Sequence, residues 1–143
     1  MGLADSLRGK RVYFDANIFI YMLEGSKGLQ SQIQTVRDLL SNGEIEVVTC
    51  DVTYTEILPH PARRGDTQAI ETMVEYLSAF EVIPLTKEIT IHAGILRGET
   101  GMKSPDALHV AAAMQADCEI LVTNDGGIKT PTGMLRLNFK DFS

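Results

Sequence analysis

The sequence predicts an α/β domain built on a parallel sheet with helices on both faces. Two observations point there. Short apolar runs alternate along the chain with segments of helical period, in the order β-α-β-α-α-β-α-α-β-β. The strand-like runs are largely apolar, as strands covered on both sides are. At 143 residues the chain fits one domain, residues 1–143, long enough to bury a core.

Each element has a local reason. Arg11 to Phe14 reads as the first strand, closed by Asp15, and a helix starts near Ile18. Leu29, Ile33, Val36 and Leu40 recur at helical spacing, with Gly43 as the stop. Glu46 to Thr49 is the second strand, and Asp51 to Leu58 a short helix before the breakers Pro59 and Pro61. Asp66 caps a helix carrying Ile70, Met73, Val74 and Leu77. Val82 and Ile83 form a third strand. Thr86 caps a helix with Ile89, Ala93 and Leu96 on one face. Ser104 supplies a capping hydroxyl before Pro105 at the first helical position, and that helix runs to about Ala116. Ile120 to Thr123 is the fourth strand, Asn124 to Gly127 its turn, and Leu135 to Leu137 a last edge strand.

Hydrophobic residues make up 44% and charged residues 22% of the chain, an ordinary globular balance. No apolar run approaches the roughly 18 residues of a membrane helix, and the N-terminal segment lacks the apolar core of a signal peptide. Cys50 and Cys118 lie beside apolar runs and read as buried, reduced thiols in a cytoplasmic protein. The net charge of −6 argues against broad binding of nucleic acid through a basic surface. A cluster of acids that needs divalent cations would produce the same total.

In open parallel sheets, sites form beyond the carboxyl ends of the strands, where strand order reverses. Asp15 ends strand one, Asp125 follows strand four, Glu56 lies on the helix after strand two, and Asp106 opens the helix begun at Ser104. Each has a plain alternative: a helix cap for Asp15, a dipole-favoured acid for Asp106, a turn residue for Asp125, a solvated helix residue for Glu56. Together, four converging carboxylates would repel one another unless hard cations neutralised them, and oxygen-only donors suit Mg²⁺ or Mn²⁺. Such ions can activate water against a phosphodiester. No Gly-rich phosphate loop is present.

The stretches YFDANIFIY, TEIL around Glu56, SPDALHVAAA and LVTND resemble, in this order, the PIN-domain ribonucleases, and most of all the toxin subunits of VapBC toxin–antitoxin pairs. The resemblance spans Val12 to about Ile128. It implies an α/β/α sandwich around a central parallel sheet of about five strands. It also implies a metal-dependent endoribonuclease of a type II toxin–antitoxin pair, with Asp15, Glu56, Asp106 and Asp125 as catalytic and metal-holding residues. Asn17 and Thr123 map to residues that orient carboxylates. RNA as substrate, Mg²⁺ or Mn²⁺ as cofactor, a cognate antitoxin and a homodimer are the implied partners. The expected antitoxin groove lies near Gln30 to Leu40 and Tyr54 to Leu58. Where relatives often carry an aromatic residue three places after the last acid, this chain has Ile128.

Other residues have plainer readings. His109 lies three residues after Asp106, on roughly the same helix face, within reach of the site, and a histidine packed between helix and sheet is the favoured reading. His60 and His92 lack spaced partners for zinc. Arg97 and Lys103 are the best candidates for RNA phosphate contacts, ahead of Arg63, Arg64 and Lys129, with a solvated face as the default for all. Tyr13, Phe14, Phe19 and Tyr21 read as core. Two other classes compete. A haloacid-dehalogenase-type phosphatase also starts from a strand-end acid, but its second acid is here Asn17. A noncatalytic binding module, or a PIN protein of RNA processing, would use the same scaffold.

Overall fold

Val12, Tyr13 and Phe14 are fully buried in the centre of the sheet, and the rest of the chain is arranged around them. In the computed structural model, which describes residues 2–142, they lie on β1 (Arg11–Phe14). β2 (Glu46–Cys50) pairs with one side of β1 and β4 (Ile120–Val122) with the other; β3 (Glu81–Ile83) and β5 (Leu135–Leu137) are the edges. The order is β3-β2-β1-β4-β5, every pairing is parallel, and Tyr13 stands in register with Val48 and Leu121. The expected parallel sheet of five strands is therefore present. The direction of strand order reverses between β1 and β4, beside Asp15 and Thr123.

The pleat divides the interior in two, because successive side chains of a strand point to opposite faces. Val12 and Phe14 join a core built from α1 (Leu3–Leu7), α2 (Ala16–Glu24), α3 (Gln30–Ser41) and α6 (Thr67–Ser78). Tyr13 joins a second core, with α7 (Lys87–Thr100) and α8 (Ser104–Gln115). α8 carries four alanines, and Ala107, Ala111, Ala112 and Ala113 are fully buried. Short side chains let this helix lie close against the sheet.

The local signals hold at most helix starts. The Asp66 carboxylate accepts from Ala69 N at 3.0 Å and the Thr86 hydroxyl from Ile89 N at 3.2 Å. Gly101 ends α7 in the left-handed region, where a Cβ would be strained. Ser104 differs from expectation. The cap position belongs to Lys103, whose side chain caps nothing, and Ser104 and Pro105 are the first two helical residues. Proline fits either place, because the first turn's N–H groups have no intrahelical acceptor. Pro59 also differs: it stops α4 (Val52–Ile57) but opens α5 (Pro59–Arg63) at its first position. Before β1, where the sequence reading expects no element, α1 forms and buries Leu3 and Leu7 one turn apart.

At the amino end of the sheet Arg11 ties three strands. It pairs with Glu81 at 2.7 Å and Glu46 at 3.0 Å and donates to Ala116 O at 2.6 Å. Its hydrogen bond holds the Glu81 carboxyl below its ordinary value and raises the guanidinium further. These pairs are largely exposed, so they steer register more than they stabilise. Cys50 and Cys118 are free and buried, and burial pushes the Cys118 thiol up to about 12. No described helix is long and apolar enough to cross a membrane.

Leu77 is fully buried where α6 meets the sheet. Leu77→Ala should cost about 2–5 kcal/mol through lost burial and the residual cavity. Denaturant unfolding, read as a lower midpoint with an unchanged slope, checks it.

Candidate metal centre

Asp15 follows β1 with extended backbone (φ −65°, ψ 159°), and its N–H continues the ladder to Val122 O at 3.1 Å. The strand's alternation therefore sends its side chain to the face of Tyr13. One oxygen, Oδ1, accepts from Ala16 N at 2.6 Å; the other, Oδ2, accepts from the Thr123 hydroxyl at 2.7 Å. The cap reading and the site reading thus both describe Asp15: the helix start holds the carboxylate still, at 5% exposure. Thr123 is anchored in turn, accepting from Asp125 N at 2.9 Å. It links the residues after β1 and β4 across the reversal point.

Glu56 reaches the same place from α4. Its Oε1 lies 2.5 Å from His109 Nε2, and that nitrogen is 3.5 Å from Asp15 Oδ1. One donor atom each from Asp15, Glu56 and His109 lie within 4.8 Å of one another. Burial alone would lower the His109 pKa. The hydrogen bond to Glu56 and the charges of Asp15, Glu56 and Asp106 outweigh it, so the pKa is raised. His109 is fully buried, as read from the sequence, but it also touches two of the acids. Two regularities in the chain could have found this: the period of two that aligns Tyr13 with Asp15, and the step of three from Asp106 to His109 on α8.

Asp106 and Asp125 form the other half. A Cβ placed on Gly127 would stand 3.1 Å from both Asp106 Oδ2 and Asp125 Oδ1, so the glycine leaves room for two converging carboxylates. Gly127 N donates to Asp125 Oδ1 at 2.8 Å. Burial first, then the adjoining Asp125 carboxyl and the charge of Asp15, push Asp106 up to about 6. Among the described residues, no lysine or arginine forms an ion pair with any of the four acids. Negative charge gathered with no lysine or arginine paired to it is donor chemistry that suits a hard divalent cation. The residues present fit such an ion.

The remaining expected residues divide. Asn17 is exposed on the first turn of α2 and makes no hydrogen bond among the described residues. Asn124, read as a turn residue, donates instead to the Tyr21 hydroxyl. Lys103 lines a cavity of about 230 Å³ with Asp106, Asp125, Gly127 and Lys129, whereas Arg97 donates to Met102 O at 3.3 Å and lies outside that lining. Ile128, in place of the relatives' aromatic residue, is fully buried in the second core. His60 and His92 take no part in the cluster. An apolar hollow runs between α2, α4 and α6, lined by Phe19, Ile20, Leu23, Ile57, Met73 and Tyr76. It shares α4 with the expected groove but has α2 and α6 as its walls in place of α3, whose apolar side chains Ile33, Val36 and Leu39 are spent in the core.

A five-stranded parallel sheet with carboxylates gathered at its reversal point defines an α/β domain with a candidate metal centre. The PIN domain family profile matches residues 12–132, and the chain belongs to that family. No curated protein matches the sequence. Solved structures do. VapBC2 from Rickettsia felis, bound to a fragment of its promoter DNA, aligns over 90% of this chain and 98% of its own, at 18% identity and TM-score 0.68. A toxin–antitoxin complex from Klebsiella pneumoniae covers 86% and 99%, at 22% identity and TM-score 0.61. The sarcin–ricin loop cleaving toxin VapC20 of Mycobacterium tuberculosis covers 80% and 90%, at 13% identity and TM-score 0.59.

Two outcomes test the site. Gly127→Ala should leave the fold intact while forcing the Asp106 and Asp125 carboxylates apart by a few tenths of an ångström, and so weaken Mn²⁺ binding measured by calorimetry. The second concerns pH. The folded protein holds the Asp106 proton more tightly than the unfolded chain, so this group makes stability fall as pH rises from about 4 to about 6. Asp106→Asn should raise the Tm of metal-free protein at pH 7 and flatten that decline, as thermal melts in chelator across the pH range would record.

Proposed function

We propose that this protein is a metal-dependent endoribonuclease and the toxin of a type II toxin–antitoxin pair. The observation that carries the reading is the convergence of Asp15, Glu56, Asp106 and Asp125 at the carboxyl edge of the sheet, with His109 beside two of them and no lysine or arginine paired to any among the described residues. These four would hold Mg²⁺ or Mn²⁺. When bound, the ion supplies positive charge where a phosphodiester gains negative charge on the way to cleavage. The chain's own part is positional. Thr123 and the first turn of α2 hold Asp15 by both oxygens, and the Gly127 amide steadies Asp125. Lys103, which lines a cavity with Asp106 and Asp125, supports a contact with phosphates of an RNA strand, whereas the Lys129 ammonium donates to Thr100 O at 2.8 Å. Arg97, tied to the neighbouring loop, is the weaker candidate.

The likeness to VapBC complexes supports an antitoxin as partner. The hollow between α2, α4 and α6 offers the apolar surface such a segment would cover. A homodimer is part of the same reading, and two buried free thiols suit a reducing cytoplasm. The VapC20 likeness makes structured ribosomal RNA a sensible first substrate to try. The phosphatase reading has no second acid at Asn17 to support it.

Incubation of purified protein with structured RNAs, with Mn²⁺ or with chelator, is the deciding assay. Cleavage should require the metal and should fall by at least about 100-fold in Asp15→Asn, on the scale of removing one electrostatic partner from a reacting centre. Unchanged cleavage in that variant would refute the reading.

A further inference from the structure

We infer that Tyr13 and His109 form a buried brace that aims the Glu56 carboxylate at Asp15 and thereby tightens the grip of the site on a divalent cation. The second half rests on the metal-dependent reading above; the brace itself does not.

Glu56 needs an outside support. It sits on a helix of six residues whose cap residue, Asp51, makes no side-chain hydrogen bond. Its side chain is 29% exposed, and its one hydrogen bond among the described residues is to His109. The imidazole itself has no freedom. It is fully buried on α8, with one nitrogen on Glu56 and the other, Nδ1, 2.7 Å from the Tyr13 hydroxyl. Tyr13 is fully buried in the central strand and meets the imidazole edge to face, with ring centroids 5.6 Å apart. The ring's rigid geometry carries the position of β1 through α8 to α4.

The hydrogen positions follow from this order. Burial keeps the Tyr13 phenol protonated, so it can donate to Nδ1. Nε2 carries a hydrogen and donates to Glu56 both in this neutral ring and in the imidazolium that the acids favour, where Nδ1 donates to the Tyr13 oxygen. Packing alone gives no reason for such a chain: a phenylalanine and a leucine would fill the same space without burying polar atoms. The chain ends at a half-exposed carboxylate on the rim, where an orienting hydrogen bond acts on the site. Tyr13 and His109 are positioning residues, acting through Glu56.

The test uses Tyr13→Phe, which removes one oxygen and keeps the ring, His109→Leu, and His109→Gln, whose amide can still donate to Glu56. Two readouts are needed. Mn²⁺ calorimetry should give binding weakened by about 10- to 100-fold in Tyr13→Phe and His109→Leu, the usual cost of losing a partner behind a ligand, with part of it regained in His109→Gln. Thermal melts of metal-free protein should show that Glu56→Gln and His109→Leu are non-additive; if His109→Leu does not fold, Tyr13→Phe serves in its place. Wild-type Mn²⁺ affinity in folded Tyr13→Phe and His109→Leu, with Tm alone reduced, would overturn the proposal. So would additive melts. A wild-type protein that binds no Mn²⁺ yet shows non-additive melts would refute the metal-dependent reading and leave the brace standing.

Discussion

Repulsion among half-buried carboxylates is the constraint on which the structure turns. Bringing Asp15, Glu56, Asp106 and Asp125 to one edge costs free energy in the folded state; at Asp106, burial first and then the neighbouring Asp125 and Asp15 push the pKa up to about 6. A loop could not hold such groups together, because it would relax outward and hydrate each acid separately. Here Asp15 closes β1, Glu56 and Asp106 sit on α4 and α8, and Asp125 is held in the turn after β4 by the Thr123 hydroxyl and the Gly127 amide, with cores on both sides of the sheet fixing the elements. Packing free energy spread over the whole domain is concentrated as electrostatic strain at one rim. Under the proposed function a bound divalent cation would relieve that strain, and fold and metal binding would then be thermodynamically linked.

The sheet order explains why the rim lies where it does. Chain direction runs from β1 outward to β3 on one side and through β4 to β5 on the other, leaving an opening between the carboxyl ends of β1 and β4. Asp15 and Thr123 face each other across it at hydrogen-bond distance. One threonine hydroxyl, donating to Asp15 and accepting from the amide of Asp125, ties the two sides. At the opposite edge Arg11 does a similar job with Glu46 and Glu81, but in water, where the pairing is weak. The protein thus keeps arginine-paired acids at the amino edge, while the acids at the carboxyl edge have His109 and no arginine or lysine pair among the described residues.

His109 shows how a buried polar residue can serve packing and a site together. Its ring closes the gap between α8 and the sheet, and its two nitrogens are spent on Tyr13 and Glu56. The alanines around it matter as much as the histidine. Ala107, Ala111, Ala112 and Ala113 let α8 approach closely enough for a side chain on the helix to reach both β1 and α4. The same closeness brings Asp106, one turn earlier, to the rim.

The sequence by itself determined the elements whose causes are local. β1 and β4 were legible as unbroken apolar runs because both their faces are covered, and Asp66 and Thr86 as caps because a cap concerns only the next three residues. The four acids were legible through their places after strands and at helix starts, and through the family resemblance of the stretches around them. The tertiary structure decided what depends on two distant segments meeting. Ser104 was misplaced by one residue because the direction from which the chain enters α8 selects the cap. Asn17 is exposed on the first turn of α2, two residues after Asp15. The contact of His109 with Glu56 joins residues 53 positions apart. Periodicity says which residues share a face; only the packing of α8 against β1 and α4 says what that face meets.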